Sequence, residues 1–585
     1  MTENQTGTER MTEAEAGTRS VRSTWLISAM TMISRVLGFL RLVLLVHVFA
    51  SMRWVSDALI FAFRIPNLFR NLLGEGALSA AFIPVFVREN EKKGGESASV
   101  FASQALTFLT LVCSLLTIAG VLVCLVLDAT TSPSRELSLT LRLTAALFPF
   151  MPLICIAALL GGMLQGLHRF ALPAALPIVL NLGFIGGFLY VYFVRCAGDL
   201  GNLSPNDAYV VAVSVLVAGL IEVVVQLPAV GALGICLRPK LSFDHHGIRT
   251  ALSAFIPAAA GLGLVQINAF VDSLIAGSLS LSSPGAMTYL EIGFRYMQLP
   301  LGVFGVSIAT IAFPEFSSAA GNGDDKRLLT CLVRSMRMSM YLILPASAAL
   351  IALSDPIVRL TCQRPDLAFD HAAVYRSSLS MSLYCGGLIF YSLRQIIVRV
   401  FYAKGDYSYP VKIAAAMVVL NLILNLTLIN ATDPFLAHFP EYLRHWDIDP
   451  SAFPRGMRLN EAGLALATMI TAIVDAVLLV WGLRRSLGRF LNEEFASGQL
   501  TELGHTTLRM LGTAVALGVL TWLYRNSIPY EPEFPKLLER TAIPCILAGG
   551  TFYIIGAVIP LPEMREFLYP ILKISGSREG GSNNS

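Results

Sequence analysis

A chain of 585 residues is long enough for about four average soluble domains, yet its composition excludes them. Hydrophobic residues make up 55% and Asp, Glu, Lys and Arg together 14%, where soluble globular proteins carry roughly 25% charged residues. A mean hydropathy of +0.65 and a net charge of only +4 also exclude a disordered chain, a fibrous repeat and a nucleic-acid binder. The chain reads as an all-α polytopic membrane protein.

The first 22 residues are polar and Thr/Glu-rich and lack the pattern of a signal peptide; they read as a disordered cytoplasmic tail. A helix crossing the hydrocarbon core needs about 20 mostly apolar residues. Such stretches recur at 25–50, 57–87, 100–127, 139–166, 171–195, 208–233, 251–278, 285–317, 328–353, 374–402, 409–430, 461–483, 506–524 and 538–560, fourteen in all. With the N-terminus inside, Lys92, Lys93, Lys240, Lys326, Lys404, Lys412 and Lys573 fall on the cytoplasmic side and only Lys536 outside. Both termini are then cytoplasmic, and the Gly/Ser/Asn-rich end from Ser575 reads as disordered. Cys113, Cys124, Cys155, Cys385 and Cys545 sit in apolar runs with no metal-ligand or disulfide spacing, as small hydrophobes do.

A charged side chain at mid-membrane costs at least about 2.5–3.5 kcal/mol on insertion scales, so each one calls for a function. The first span holds Ser34-Arg35-x-x-Gly38-x-x-Arg41. At about 1.5 Å per residue, its arginines lie roughly 15 to 25 Å past Trp25, too deep to reach the near surface. Ser34, Gly38 and Arg41 share one helical stripe, where Gly38 leaves room beside the arginine. The second span carries Asp57, Arg64, Pro66, Asn67, Arg70, Gly74, Glu75 and Gly76. Pro66 removes an N–H and predicts an interrupted helix, whose second half offers N–H groups to an anion. Such a break is tolerated only where it is buried or lines a watery cavity.

The segment from Phe63-Arg64 to Pro84-Val85-Phe86 resembles that from Phe294-Arg295 to Pro314-Glu315-Phe316. A repeat in the same orientation predicts two pseudo-symmetric lobes with a site where they meet. Arg295 follows Glu291 in the eighth span. Glu75 can pair with one arginine, but Arg35, Arg41, Arg64, Arg70 and Arg295 outnumber Asp57, Glu75 and Glu291. The surplus predicts an anionic ligand, and arginine matches phosphate through bidentate geometry. Gln266, Asn268 and Asp272, with Asn421 and Asn425, can offer oxygens to a small cation, although such amides also bridge helices. Glu222 and Asp475 read as helix-pairing carboxylates. Catalytic motifs such as GxGxxG, the P-loop or HExxH are missing from the sequence, which points away from an enzyme.

At these residues the chain resembles the MurJ/MviN lipid II flippases. The motifs are Ser34-Arg35-x-x-Gly38-x-x-Arg41, the run from Asp57 through Arg64-x-Pro66-Asn67-x-x-Arg70-x-x-x-Gly74-Glu75-Gly76-Ala77-x-Ser79-x-Ala81-Phe82-x-Pro84, Arg295-x-x-x-x-Pro300-x-Gly302-x-x-Gly305, and Phe401-Tyr402-Ala403-x-x-Asp406-x-x-x-Pro410-Val411. The resemblance implies a bacterial inner-membrane transporter of the multidrug/oligosaccharidyl-lipid/polysaccharide superfamily. It would move lipid II, the undecaprenyl-pyrophosphate-linked disaccharide-pentapeptide, from the cytoplasmic to the periplasmic leaflet by alternating access.

The organisation that follows is a tail over 1–22, an N-terminal lobe over 23–235 with helices 1–6, and a C-terminal lobe over 236–500 with helices 7–12. Helices 13 and 14 over 501–562 form a lipid-tail groove, and 563–585 is a cytoplasmic tail. The resemblance assigns substrate binding to Arg35, Arg41, Arg70 and Arg295, with Asp57, Asn67 and Glu75 as important partners; Ser34 and Gly38 support them. It implies a sodium site at Asp272, so the expected drive is a coupling cation, sodium or proton, or the membrane potential, with no cofactor. The partners expected are lipid II, the bilayer and the cell-wall synthesis machinery, with no nucleic acid, for a monomer. Leu42 and Gln298 stand where many members carry acids, so the gating salt bridges differ here. The alternative is an exporter of another polyprenyl-linked oligosaccharide, or a multidrug exporter of the same superfamily.

Overall fold

A computed structural model of the chain describes residues 29–71, 78–241, 246–363, 370–431, 458–488, 494–527, 535–536 and 538–547. Glu75, with Gly74, Gly76 and Ala77, lies outside the described residues, as do both tails and residues 548–560 of the fourteenth expected span. Among the described residues the elements are helical, and eleven helices are long and apolar enough to cross a membrane. The chain is an all-α, multi-pass membrane protein. Its compact units are Met1–Thr288 and Tyr289–Ser585.

The first unit contains α1 (Ala29–Val48), α2 (Arg53–Phe69), α3 (Leu78–Thr130), α4 (Arg135–Leu147), α5 (Phe150–Gly166), α6 (Ala171–Tyr190), α7 (Asp207–Gly231), α8 (His246–Ser282) and the start of α9 (Ala286–Pro300). The stretch read as one span over 57–87 is α2 followed by the first arm of α3. That helix then kinks at Gly94 and runs on as the third span. The stretch 139–166 divides at Pro149 into α4 and α5. Ser134 starts α4 by accepting the Leu137 N–H at 3.3 Å, as an N-cap does. Phe82 stacks on Phe86 and Phe101 in the interior, while Leu115, Ile118, Leu122 and Val123 of α3 are exposed. An apolar exterior suits a solvent of lipid tails.

The second unit holds the rest of α9, then α10 (Val306–Gly321), α11 (Asp325–Ala352), α12 (Ser354–Cys362), α13 (His371–Gly386), α14 (Leu388–Ala403), α15 (Ser408–Leu428), α16 (Glu461–Leu487) and α17 (Glu494–Ser527), followed by helix over 538–547. Phe316, Ile396, Phe401 and Leu479 belong to one buried cluster. Charged pairs join the helices. Arg376 grips Glu461 through two bonds, Arg394 pairs with Asp475, and the buried Asp355 accepts from Arg359 and Arg525, each at 3.0 Å. Asp475 therefore pairs helices, as its sequence context predicts. Burying one such charge alone costs several kcal/mol, so each carboxylate has its cation on a neighbouring turn or helix.

Candidate functional site

In the first unit, α1 presents Ser34, Arg35 and Arg41 half-buried and Gly38 buried. Asn181 of α6 donates to the Ser34 carbonyl at 3.0 Å and to its hydroxyl at 3.3 Å, fixing α1 against α6. The Arg41 guanidinium stands 4.4 Å from the Phe184 ring centroid and 5.6 Å from that of Phe63. An aromatic face attracts such a cation without neutralising it. Arg41 is thereby positioned against α2 and α6. Leu42 is buried.

The helix α2 passes through Pro66 and continues to Phe69. This corrects the expected interruption: the proline is accommodated one turn before the helix end, and the Arg70 N–H bonds back to the carbonyls of Pro66 and Asn67. A wide π turn follows at residues 70–71. Arg70 Nε donates to Asn67 Oδ1 at 3.1 Å and Arg70 Nη2 to Asn71 Oδ1 at 3.3 Å. Asn71 in turn donates to Gln266 of α8 at 3.3 Å. The Asn67 and Asn71 amides thus fix the orientation of the guanidinium. Asn71, Asn181 and Phe184 were not singled out from the sequence, because their roles depend on neighbours brought from distant segments.

Asp57 is buried at 3% exposure and binds backbone. It accepts the Gly285 N–H at 2.6 Å, and the Thr288 N–H and hydroxyl at 2.9 and 2.7 Å. Asp272 lies half-buried on α8. Among the described residues no group of three or more His, Cys, Asp or Glu is placed to hold a metal.

In the second unit, Arg295 Nε donates to Glu291 Oε1 at 2.8 Å, one helical turn away. The arginine side chain is 29% exposed and the glutamate 10%, so the pair positions an accessible cation. A π turn over Leu301–Gly305 closes α9. Asn425 donates to Asn421 at 2.9 Å, and Asn421 to Thr471 of α16 at 3.5 Å; here the amides bridge helices.

The family model described as lipid II flippase MurJ matches residues 47–435, well over half of the chain. The chain belongs to the MurJ family of lipid II flippases. The match contains Asp57, Asn67, Arg70, Asp272 and Arg295, and starts after the Ser34–Arg41 motif. A probable lipid II flippase MurJ of Rhizobium tropici is 29% identical over 543 residues, covering 91% of this chain and 93% of the relative. Another from Rhizobium meliloti is 30% identical over 474 residues, covering 77% and 86%. The fold is similar to a solved lipid II flippase MurJ in an inward closed conformation, with a TM-score of 0.67 at 19% identity, covering 92% of this chain and all of that one. Membership in a flippase family makes this chain a transporter rather than an enzyme, as expected.

Proposed function

We propose that the chain flips lipid II from the cytoplasmic to the periplasmic leaflet of a bacterial inner membrane, with both termini in the cytoplasm. Arg35, Arg41, Arg70 and Arg295 line the cavity that receives the pyrophosphate head, and Glu75, Asp57 and Asn67 support them. The observation that carries this reading is Arg70: a guanidinium at the end of a membrane helix, oriented by hydrogen bonds to Asn67 and Asn71, and a group whose planar fork matches phosphate. Alternating access then exposes the head to one leaflet and afterwards to the other. The sugar-peptide head never crosses hydrocarbon, where each unsatisfied polar group costs several kcal/mol.

The polyprenyl tail stays in lipid and runs along the C-terminal helices. A cleft of about 460 Å³ supports this reading, lined by apolar residues that include Leu332, Met336, Leu483, Leu503 and Leu511 of α11, α16 and α17. A coupling cation drives the cycle, sodium at Asp272 or a proton, or the membrane potential does so directly. The chain works as a monomer alongside the cell-wall synthesis machinery.

Rescue of a bacterium depleted of its own lipid II flippase tests the proposal. The wild-type chain restores growth, whereas Arg70→Ala and Arg295→Ala insert normally and fail to restore it. Arg70→Lys retains charge but loses the planar fork and rescues poorly. Full rescue by either alanine variant removes the arginine cavity from the account.

A further inference from the structure

Glu222 lies sixteen residues into the 25-residue helix α7, roughly 22 Å from its start at 1.5 Å per residue. Its exposure is 1% and that of Gln226, one turn on, is 0%. The Gln226 amide N–H groups are used by the carbonyls of Ala157 and Glu222, both at 2.9 Å. That leaves Glu222 Oε2 and Gln226 Oε1 buried with no hydrogen-bond partner among the described residues. A buried carboxylate in that state costs several kcal/mol, and a proton on it removes most of the cost.

The neighbouring helices offer few alternatives. The helices α5 and α6, which pack on α7, carry no charged side chain; the Cys155 thiol of α5 is free and hydrogen-bonded to the Cys113 thiol. On α4, Arg142 is paired with Asp128, and Arg135 lies over Trp54 beside Glu136 at the helix start. Arg195, just past α6, is paired with Asp207 at the opposite end of α7. On α2, which also touches α7, Asp57 is bonded to residues 285 and 288, and Arg53 and Arg64 lie in earlier turns. Among the described residues, Arg70 at the end of α2, a helix packed on α7, is a cation near enough to interact with Glu222 through its charge.

We infer that Glu222 is a proton site, and that its carboxylate and a phosphate-bearing ligand compete for the Arg70 guanidinium. When Glu222 gives its proton to water, the carboxylate left behind attracts Arg70. When the anion arrives, Glu222 takes a proton back from water and Arg70 turns to the ligand. Ligand binding and protonation then promote one another, since such coupling is reciprocal. The inference rests on Arg70 as a pyrophosphate group, as proposed above.

The test titrates undecaprenyl pyrophosphate into the full-length chain in nanodiscs across a range of pH, for wild type, Glu222→Gln, Glu222→Asp and Arg70→Ala. Affinity in wild type should fall with rising pH more steeply than in Glu222→Gln, by up to about tenfold per pH unit for one exchanged proton. The ligand's own ionisation is common to both proteins and cancels. Glu222→Asp should retain the wild-type slope. The infrared carbonyl band of a protonated acid should be present in wild type, disappear in Glu222→Gln, and weaken when ligand is removed at high pH.

Equal slopes in wild type and Glu222→Gln overturn the inference while leaving the Arg70 reading intact if Arg70→Ala loses binding. Undiminished binding in Arg70→Ala overturns that reading and the inference with it. A difference between wild type and Glu222→Gln that follows sodium at fixed pH, and not pH itself, assigns the site to a metal cation and overturns the proton.

Discussion

Asp57 and Thr288 are joined by two hydrogen bonds through a single carboxylate oxygen, which takes the Thr288 backbone N–H at 2.9 Å and its hydroxyl at 2.7 Å. The other oxygen takes the Gly285 N–H at 2.6 Å. Gly285 has a φ of +104°, a conformation glycine adopts at little cost, and the turn it makes leads directly into α9. Asp57 is thus an N-cap supplied from 231 residues earlier in the chain, and it serves the helix that carries Arg295.

Removing that carboxylate strands buried N–H groups, each at a cost of about 1–3 kcal/mol. Asp57→Ala should therefore lower the apparent melting temperature of the purified protein and its level in the membrane. Asp57→Asn still accepts from Thr288 but turns an N–H toward that of Gly285, so its loss is intermediate. Thr288→Val removes only the hydroxyl bond and should be mildest. Melting curves in detergent order the three variants; an Asp57→Ala protein as stable as wild type would return Asp57 to the substrate.

Arg41 depends on Phe184, which itself packs edge-on against Phe63 with centroids 5.0 Å apart. A cation over an aromatic face gains about 0.5–2 kcal/mol. Phe184→Leu preserves most of the apolar volume and deletes the face. Flipping measured in vesicles should then drop by roughly two- to thirtyfold, as that energy implies, while melting changes little. A variant that loses stability without losing transport would make Phe184 a core residue only.

The apolar runs made the helices legible, because a chain so poor in charge can hide its backbone polar groups in lipid only as helix. The internal repeat was legible too, and the structure deepens it. The Phe63-Arg64 and Phe294-Arg295 pairs are each followed, six residues after the arginine, by a π turn, at 70–71 and at 301–305. What the sequence concealed depends on distant partners. Pro66 predicts a break, yet the helix absorbs it by ending one turn later. Asp57 is an acid in an apolar span, and its purpose appears only when Gly285 and Thr288 are folded beside it. The Asn181–Ser34 bond likewise joins residues 147 positions apart, with no local pattern to announce it.

Arg376 holds Glu461 with both carboxylate oxygens engaged, and its guanidinium also lies 4.8 Å from the Tyr289 ring centroid. The glutamate is fully buried. Losing one member of such a pair costs about 3–5 kcal/mol because the other charge stays buried, whereas replacing both by apolar residues can be nearly neutral. Glu461→Leu and Arg376→Leu should each depress melting strongly, and the double variant should be more stable than either. A double-mutant cycle on melting measures this; strictly additive losses would mean that the two side chains do not act as a pair.

Gly293 faces the backbone of α13 two residues before Arg295. A Cβ added there would stand 2.7 Å from the Met381 nitrogen and 2.9 Å from the Ser380 carbonyl carbon. Backbone atoms of a packed helix cannot swing aside as a side-chain tip can, so Gly293→Ala must push α9 from α13, at a cost of about 1–3 kcal/mol for overpacking. Melting and transport should both fall, because the displaced helix carries the Arg295–Glu291 pair. Trimming Met381 should not rescue the variant, since the clash is with backbone. Gly162→Ala is the control, as its Cβ would meet nothing nearer than 3.6 Å, and it should behave as wild type. If Gly293→Ala transports normally at wild-type stability, the close approach of α9 to α13 is not what positions Arg295.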